Sequence, residues 1–169
     1  MTNRLLNDQV TEQIREAFQK LKYPVEILFF DRKANCEYCP DTQQLIQEIV
    51  EISPLLNLSV HDLDEDKNLA GLYKVDKVPG LVIAGSTLEL STIVHPSTKA
   101  ALQEDASPTN EIIDYGIRFA GVPFGYEFSS LIQDIIMVSG RDSGLSQETR
   151  DYLRTLKQPI LLQVFVTPT

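Results

Sequence analysis

Both cysteines of this 169-residue chain lie in one tetrapeptide, Cys36-Glu37-Tyr38-Cys39. A spacing of two intervening residues allows the sulfurs to form a disulfide that can break and reform. An apolar run at 25–30 precedes the tetrapeptide, and apolar residues at helical spacing follow it at 45–52. The pattern predicts a strand, a turn and a helix N-terminus, with the first cysteine at the turn.

This placement favours reactivity at the first cysteine. A helix N-terminus carries unpaired N–H groups and a partial positive charge, which stabilise a thiolate at Cys36. The thiolate is the nucleophile in thiol–disulfide exchange. We expect Cys36 to attack a substrate disulfide and Cys39, deeper in the helix, to resolve the mixed disulfide. Pro40 is compatible with this geometry, because near a helix start its missing N–H costs little.

Two other roles for the cysteines are considered. A structural zinc site needs about four ligands, and the two histidines, His61 and His95, have no metal-like spacing to the cysteines, so we expect no metal. Inert cysteines buried as small apolar residues are the second alternative. Such residues would rarely fall together at a strand-to-helix turn.

Composition narrows the class of protein. A net charge of −9 and the absence of a basic stripe argue against nucleic acid as a partner. No segment approaches about 20 apolar residues, and the N-terminus lacks the apolar core of a signal peptide. We therefore expect a cytoplasmic protein that does not bind membranes. In that compartment a lone cysteine pair is typically catalytic or redox-sensing rather than structural.

Hydrophobic periodicity predicts the elements around the cysteines. Helices are predicted over 7–22, with Asn7 or Asp8 as the cap, and over 37–52, 64–73, 126–138 and 146–156. Strands are predicted over 25–30, 58–63, 79–83, 115–121 and 159–166. The polar stretch at 85–114 has turn-forming residues at both ends and is typical of an excursion between two strands, with a short helix at 97–103. From the residues alone the Val78–Pro79 bond is either a trans loop bond, the commoner case, or a cis bond.

This order of elements resembles the thioredoxin superfamily. Val78-Pro79 resembles its cis-proline motif, which comes directly before the third strand, and Gly121 resembles the glycine that closes its active-site face. The segment Gly116–Phe128 resembles the strand, turn and helix of the glutaredoxin-like protein disulfide oxidoreductases, which carry two thioredoxin-fold units. The terminal Val164–Thr169 resembles the strand that leads to the second CxxC of those proteins.

The resemblance implies an α/β fold, with a mixed central sheet flanked by helices, an N-terminal helix and a C-terminal helix-strand extension. It implies a thioredoxin-fold unit at 1–139, with an insertion at about 86–110. Residues 140–169 would form a linker, a helix and a strand like the start of a second unit. The strand at 160–166 would leave an apolar edge through which a homodimer could form.

The resemblance also implies an activity and a site. The activity is thiol–disulfide oxidoreduction of protein disulfides without a cofactor, with a thioredoxin-reductase-type electron donor. Cys36 and Cys39 would be catalytic, and the substrate-binding residues would be Glu37, Tyr38, Val78, Pro79 and Gly121. A non-catalytic adaptor or redox-sensing module is the alternative.

Two features depart from the family pattern. Glu37 is found in neither the CPYC nor the CGPC form of the motif, and an acid beside the nucleophile disfavours the thiolate. We expect Glu37 to make the pair less oxidising and less receptive to anionic glutathione. The buried acid of thioredoxins has no clear counterpart, and Glu26 and Asp31 are the candidates.

Overall fold

A four-stranded mixed sheet forms the centre of the molecule. The computed structural model describes residues 4–87 and 112–165. Along the chain its elements are α1 (Asp8–Phe18), β1 (Val25–Asp31), α2 (Cys39–Val50), β2 (Leu56–Asp62), α3 (Lys67–Tyr73), β3 (Gly80–Ser86), β4 (Ile112–Ala120), α4 (Tyr126–Gly140) and α5 (Gln147–Thr155).

The strand order β2-β1-β3-β4 places β1 and β3 inside the sheet. β1 runs parallel to β2 and antiparallel to β3, and β3 runs antiparallel to β4. In the register Gly80 lies opposite both Phe30 and Ala120. One edge of the sheet therefore holds the ends of β1 and β4 and the beginning of β3. We call it the cysteine edge, because the chain leaves β1 there towards Cys36.

Each face of the sheet has its own apolar cluster, because successive side chains of a strand point to opposite faces. On the first face, Val25, Ile27 and Phe29 of β1 pack with buried side chains of α1, α2 and α4. On the second face, Leu28 and Phe30 pack with α3. The near-continuous apolar run that predicted β1 is thus explained by burial on both faces.

The predicted helices are present, with shifted ends. Asn7 caps α1 by accepting a 2.9 Å hydrogen bond from the N–H of Val10. The helix ends at Phe18 rather than near Lys22, where the chain turns towards Pro24 and β1. β3 extends to Ser86, beyond the predicted end of that strand.

The second helix begins later than predicted. α2 starts at Cys39, and Cys36, Glu37 and Tyr38 form the turn before it. Pro40 has no N–H, so it cannot make the helical hydrogen bond to the carbonyl of Cys36 that a helix starting earlier requires. The first helical bond instead joins the N–H of Thr42 to the carbonyl of Tyr38, at 3.0 Å.

Two predictions concern the segments outside this core. Within the described range, residues 160–165 form no strand, in contrast to the prediction, and their apolar side chains are exposed. They lack a neighbouring strand among the described residues, and a strand is stable only when its backbone groups are paired. The predicted excursion at 86–110 and its short helix fall outside the described residues, apart from Ser86 and Thr87.

A helix that crosses a lipid bilayer needs about 20 predominantly apolar residues. Among the described helices, none is both long and apolar enough to cross a membrane.

Candidate functional site

Cys36 and Cys39 form a disulfide at the cysteine edge. Their Cα atoms lie 5.4 Å apart, within the usual range for a disulfide. Cys36 is half-buried, whereas Cys39 is only 5% exposed and packs in the first core cluster. A partner molecule can therefore approach the sulfur of Cys36 more readily than that of Cys39.

The start of α2 holds the disulfide in place. Cys39 is the first helical residue, and Cys36 lies directly before the first turn. Thr42 is fully buried and bonds the carbonyl of Tyr38 with its hydroxyl at 2.7 Å, as well as with its N–H. The positive end of the helix dipole therefore faces the Cys36 side of the disulfide, which favours a thiolate there after reduction.

The loop before β3 reaches the same edge. The Val78–Pro79 peptide bond is cis. Because Phe30 and Gly80 are paired, Pro79 leaves the sheet beside the end of β1. Val78 and Cys36 both pack against the first core cluster. Gly80 allows this tight approach, since a Cβ there would lie 2.7 Å from the carbonyl oxygen of Lys77.

Gly121 completes this arrangement on the β4 side. Its N–H donates a 2.9 Å hydrogen bond to the carbonyl of Pro79. Its φ of +106° is a conformation that glycine adopts without strain and other residues rarely adopt. The structure therefore brings Gly121 and Pro79 together, at the sheet edge from which the Cys36 loop also leaves.

Exposed side chains surround the disulfide. Glu37 and Tyr38 are exposed, Tyr38 by 56%. Phe124 and Tyr126, in the turn between β4 and α4, are 68% and 89% exposed. These two aromatic residues were not among the site residues predicted from the sequence. A usable signal was present, since two aromatic residues on either side of Gly125 in a turn have few neighbours to cover them.

Ion pairs tie the loop before Cys36 to the loop after β2. Arg32 Nε lies 2.8 Å from Asp64 Oδ2, and Lys33 pairs with Glu65. The backbone N–H of Lys33 donates to the carboxylate of Asp62 at 3.1 Å. Burial raises the pKa of Asp62, but backbone hydrogen bonds from Glu65, Asp64 and Lys33 outweigh it and lower the pKa below its ordinary value. The charges nearest to Cys36 on its N-terminal side are thus neutralised in pairs.

The two candidate acids lie differently. Glu26 alternates with Leu28 and Phe30, which places it on the second face, whereas Cys39 packs on the first. Burial raises the pKa of Glu26, while a hydrogen bond with Ser59 and the charge of His61 oppose the rise. Asp31 alternates with Phe29 and shares the first face. Its pKa is raised by burial and by the negative charge of Asp62.

A metal ion in a protein is held by a group of His, Cys, Asp or Glu side chains. Within residues 4–87 and 112–165, no three such side chains form a group that could hold one.

Comparison with known proteins gives partial relatives. No protein-family model matches the chain. Over 54 residues, 32% of the chain, it is 43% identical to the alkyl hydroperoxide reductase AhpF of Staphylococcus epidermidis, covering 11% of that protein. Over 165 residues, 98% of the chain, it is 24% identical to the same protein of Staphylococcus aureus strain Mu50, covering 25% of it.

Solved structures match more of the molecule. A protein disulfide oxidoreductase from Aeropyrum pernix K1 superposes with a TM-score of 0.66 and 26% identity, over 89% of this chain and 55% of that one. The NTD_N/C domain of alkylhydroperoxide reductase AhpF from Enterococcus faecalis V583 gives a TM-score of 0.66 and 19% identity, over 86% of this chain and 58% of that one.

The chain has the thioredoxin fold. It resembles the N-terminal unit of the glutaredoxin-like oxidoreductases, as the sequence motifs predicted. It spans a quarter or less of the two curated relatives and little more than half of the solved chains. Together with the Cys36–Cys39 disulfide, this likeness supports a thiol–disulfide redox function.

Proposed function

We propose that this thioredoxin-fold chain is a thiol–disulfide oxidoreductase that acts on protein disulfides. The observation that carries the proposal is the disulfide itself, with a half-buried Cys36 before a helix N-terminus and a buried Cys39 inside it. A structural staple has no need of one accessible sulfur. The relatives named as a protein disulfide oxidoreductase and as AhpF support the same class of reaction.

In the reduced protein the thiolate of Cys36 attacks one sulfur of a substrate disulfide. A bond forms between Cys36 and that sulfur, and the second substrate sulfur leaves as a thiolate. Cys39, after losing its proton, then attacks Cys36 and releases the first substrate sulfur. Two electrons pass from the protein to the substrate, and the Cys36–Cys39 disulfide is restored. A dithiol donor of the thioredoxin-reductase type regenerates the reduced protein by the reverse exchange.

The remaining site residues bind the substrate in this proposal. An extended substrate segment lies across the cysteine edge and pairs with the backbone of Val78, where Pro79 offers no competing N–H. The hydrogen bond between Gly121 and Pro79 keeps this stretch in place. Glu37 and Tyr38, both exposed, contact the substrate on the side of α2. We expect the exchange to take place in the cytoplasm, where thiols are kept reduced.

Insulin reduction tests the proposal. With dithiothreitol as the electron source, the wild-type chain should accelerate the precipitation of the insulin B chain, and Cys36→Ser should not. Equal rates for the two proteins would favour the adaptor or redox-sensing alternative. Cys39→Ser provides the matched control, because it keeps the attacking sulfur but cannot resolve the intermediate. It should accumulate a mixed disulfide with its substrate, which non-reducing electrophoresis detects.

A further inference from the structure

Three exposed aromatic side chains stand around the disulfide: Tyr38, Phe124 and Tyr126. Tyr38 lies between the two cysteines, and the other two lie in the turn that follows β4. β1 and β4 end on either side of β3, and neighbouring strands are about 4.8 Å apart, so the two loops leave the sheet about 10 Å from each other. α2 and α4, which follow these loops, pack on the same face. The three rings thus belong to one surface, the aromatic rim.

Carboxylates accompany the aromatic rim. Glu37 precedes Tyr38, Glu127 follows Tyr126, and Asp41 lies in the first turn of α2. All three are exposed, and none forms an ion pair with another described residue. Their negative charges are therefore available to a partner.

The neighbouring cations are either paired or on the other face. Arg32 and Lys33 pair with Asp64 and Glu65, and Lys77 lies 3.1 Å from Asp76. Lys67 and Lys74 flank α3, which covers the second face of the sheet. The surface around Cys36 thus combines free negative charge with exposed ring faces. Ring faces attract cations through their quadrupole, so both features favour the same kind of partner.

From this complementarity we propose that the aromatic rim and its three carboxylates select protein disulfides whose flanking residues are lysine or arginine. The inference rests on the proposed function and names its substrate class. A cationic side chain beside the substrate cysteine would approach Glu37 and Tyr38 from one side, or Glu127 and Tyr126 from the other. Segments with acidic flanks would be repelled.

Two synthetic peptides test the inference. Each carries one intramolecular disulfide, and they differ only in having lysine or glutamate on both sides of one cysteine. The pre-reduced protein is mixed with each peptide, and the second-order rate constant is measured. Each rate is divided by that for dithiothreitol, an uncharged dithiol, which removes differences in the intrinsic reactivity of the peptides.

We expect the normalised rate to favour the lysine peptide by about fivefold or more in 10 mM salt. The preference should shrink in 1 M salt, where the screening length falls from about 30 Å to about 3 Å. The triple variant Glu37→Gln, Asp41→Asn, Glu127→Gln should lose most of the preference. A matched triple variant, Glu16→Gln, Glu51→Gln, Glu148→Gln, makes the same change in net charge at exposed sites outside the rim and should keep it.

Two results would overturn the inference while leaving the proposed function intact. One is reduction of both peptides at equal normalised rates. The other is an equal loss of preference in the two triple variants, which would assign the effect to net charge alone. Failure to reduce either peptide would instead contradict the proposed function. Binding of the same peptides to the oxidised protein, followed by fluorescence anisotropy, then decides the inference: preferential binding of the lysine peptide supports it, and equal binding overturns it.

Discussion

The two cysteines are three positions apart, yet they lie in different environments. Cys36 is half-buried in a turn, and Cys39 is buried in the first turn of α2. This difference follows from Pro40, which prevents the helix from extending back to Cys36. The result is one accessible sulfur and one protected sulfur, as a two-step exchange requires. The roles assigned to them remain predictions until the variants are measured.

Glu37 gives a prediction at the scale of one side chain. Replacing it by glutamine removes a negative charge beside Cys36, which stabilises the thiolate and hence the reduced form. We expect the reduction potential of Glu37→Gln to be higher than that of the wild type by about 5–20 mV, given the small energies of exposed charge pairs. Equilibration with glutathione buffers measures the potential, and Glu51→Gln, exposed at the far end of α2, is the control. A potential that is unchanged or lower would contradict the expectation.

At the scale of elements, the cysteine edge is assembled by three chain segments from distant parts of the sequence. The register of β1, β3 and β4 brings their ends together, and the hydrogen bond from Gly121 to Pro79 joins two of the loops. The pairs from Arg32 and Lys33 to the loop after β2 anchor the third. These ion pairs are exposed, so they order the loop more than they stabilise the fold.

The opposite edge depends on a buried hydroxyl of α4. Ser139 is fully buried, accepts hydrogen bonds from the N–H groups of Lys22 and Tyr23 at 2.8 and 3.1 Å, and donates to the carbonyl of Tyr23 at 2.6 Å. Ser139→Ala leaves these backbone groups without that partner and should lower the free energy of unfolding by about 1–3 kcal/mol. Ser130→Ala, an exposed site on the same helix, should change it by less than about 0.5 kcal/mol. Urea denaturation compares the two; similar losses would contradict this role for Ser139.

At the scale of the whole molecule, the N-terminal segment is fastened to α2 by Glu48. This buried carboxylate accepts hydrogen bonds from the N–H groups of Leu5 and Leu6, at 2.9 to 3.1 Å, and from Gln44 at 2.9 Å. Burial raises its pKa, but these hydrogen bonds and the charge of Arg4 together lower it below the ordinary value. The ionised form is therefore the one that stabilises the fold.

The sign of this shift predicts a pH dependence. A lowered pKa in the folded state contributes stability above the unfolded pKa of about 4.3, and that contribution is lost as the pH falls through the folded value. Glu48→Gln should therefore be less stable than the wild type at pH 7, with a difference that shrinks towards pH 3. Glu51→Gln should show little difference at either pH. A Glu48→Gln deficit that stays constant from pH 7 to pH 3 would rule out this linkage.

The segment at 160–165 concerns association of whole molecules. Its apolar side chains are among the most exposed in the described structure, with Leu161, Leu162, Val164 and Phe165 all above 80%. Exposed apolar runs of this kind promote pairing with another chain. We expect the 169-residue chain to self-associate, with a sedimentation coefficient that rises with concentration. Leu161→Lys with Val164→Lys should reduce this rise, and Leu72→Lys, exposed on α3, should not; a monomer at all concentrations would contradict the predicted homodimer.

The sequence by itself determined the local features of this protein. Period and capping predicted α1, β1, α4 and α5, because hydrophobic spacing and cap residues act over a few positions. The CxxC spacing indicated the disulfide, and the motifs around Pro79 and Gly121 indicated the fold. The division into units at 1–139 and 140–169 remains a prediction of the same kind.

Only the tertiary structure decided what depends on contacts between distant segments. It placed Glu26 on the face opposite Cys39, bonded Gly121 to Pro79, and left the predicted strand at 160–165 without a partner in the described residues. It also exposed Phe124 and Tyr126 beside the disulfide-bearing edge. Periodicity reports that a side chain has an apolar neighbour somewhere, but burial, pairing and charge neighbourhood are set by the register of strands far apart in the chain.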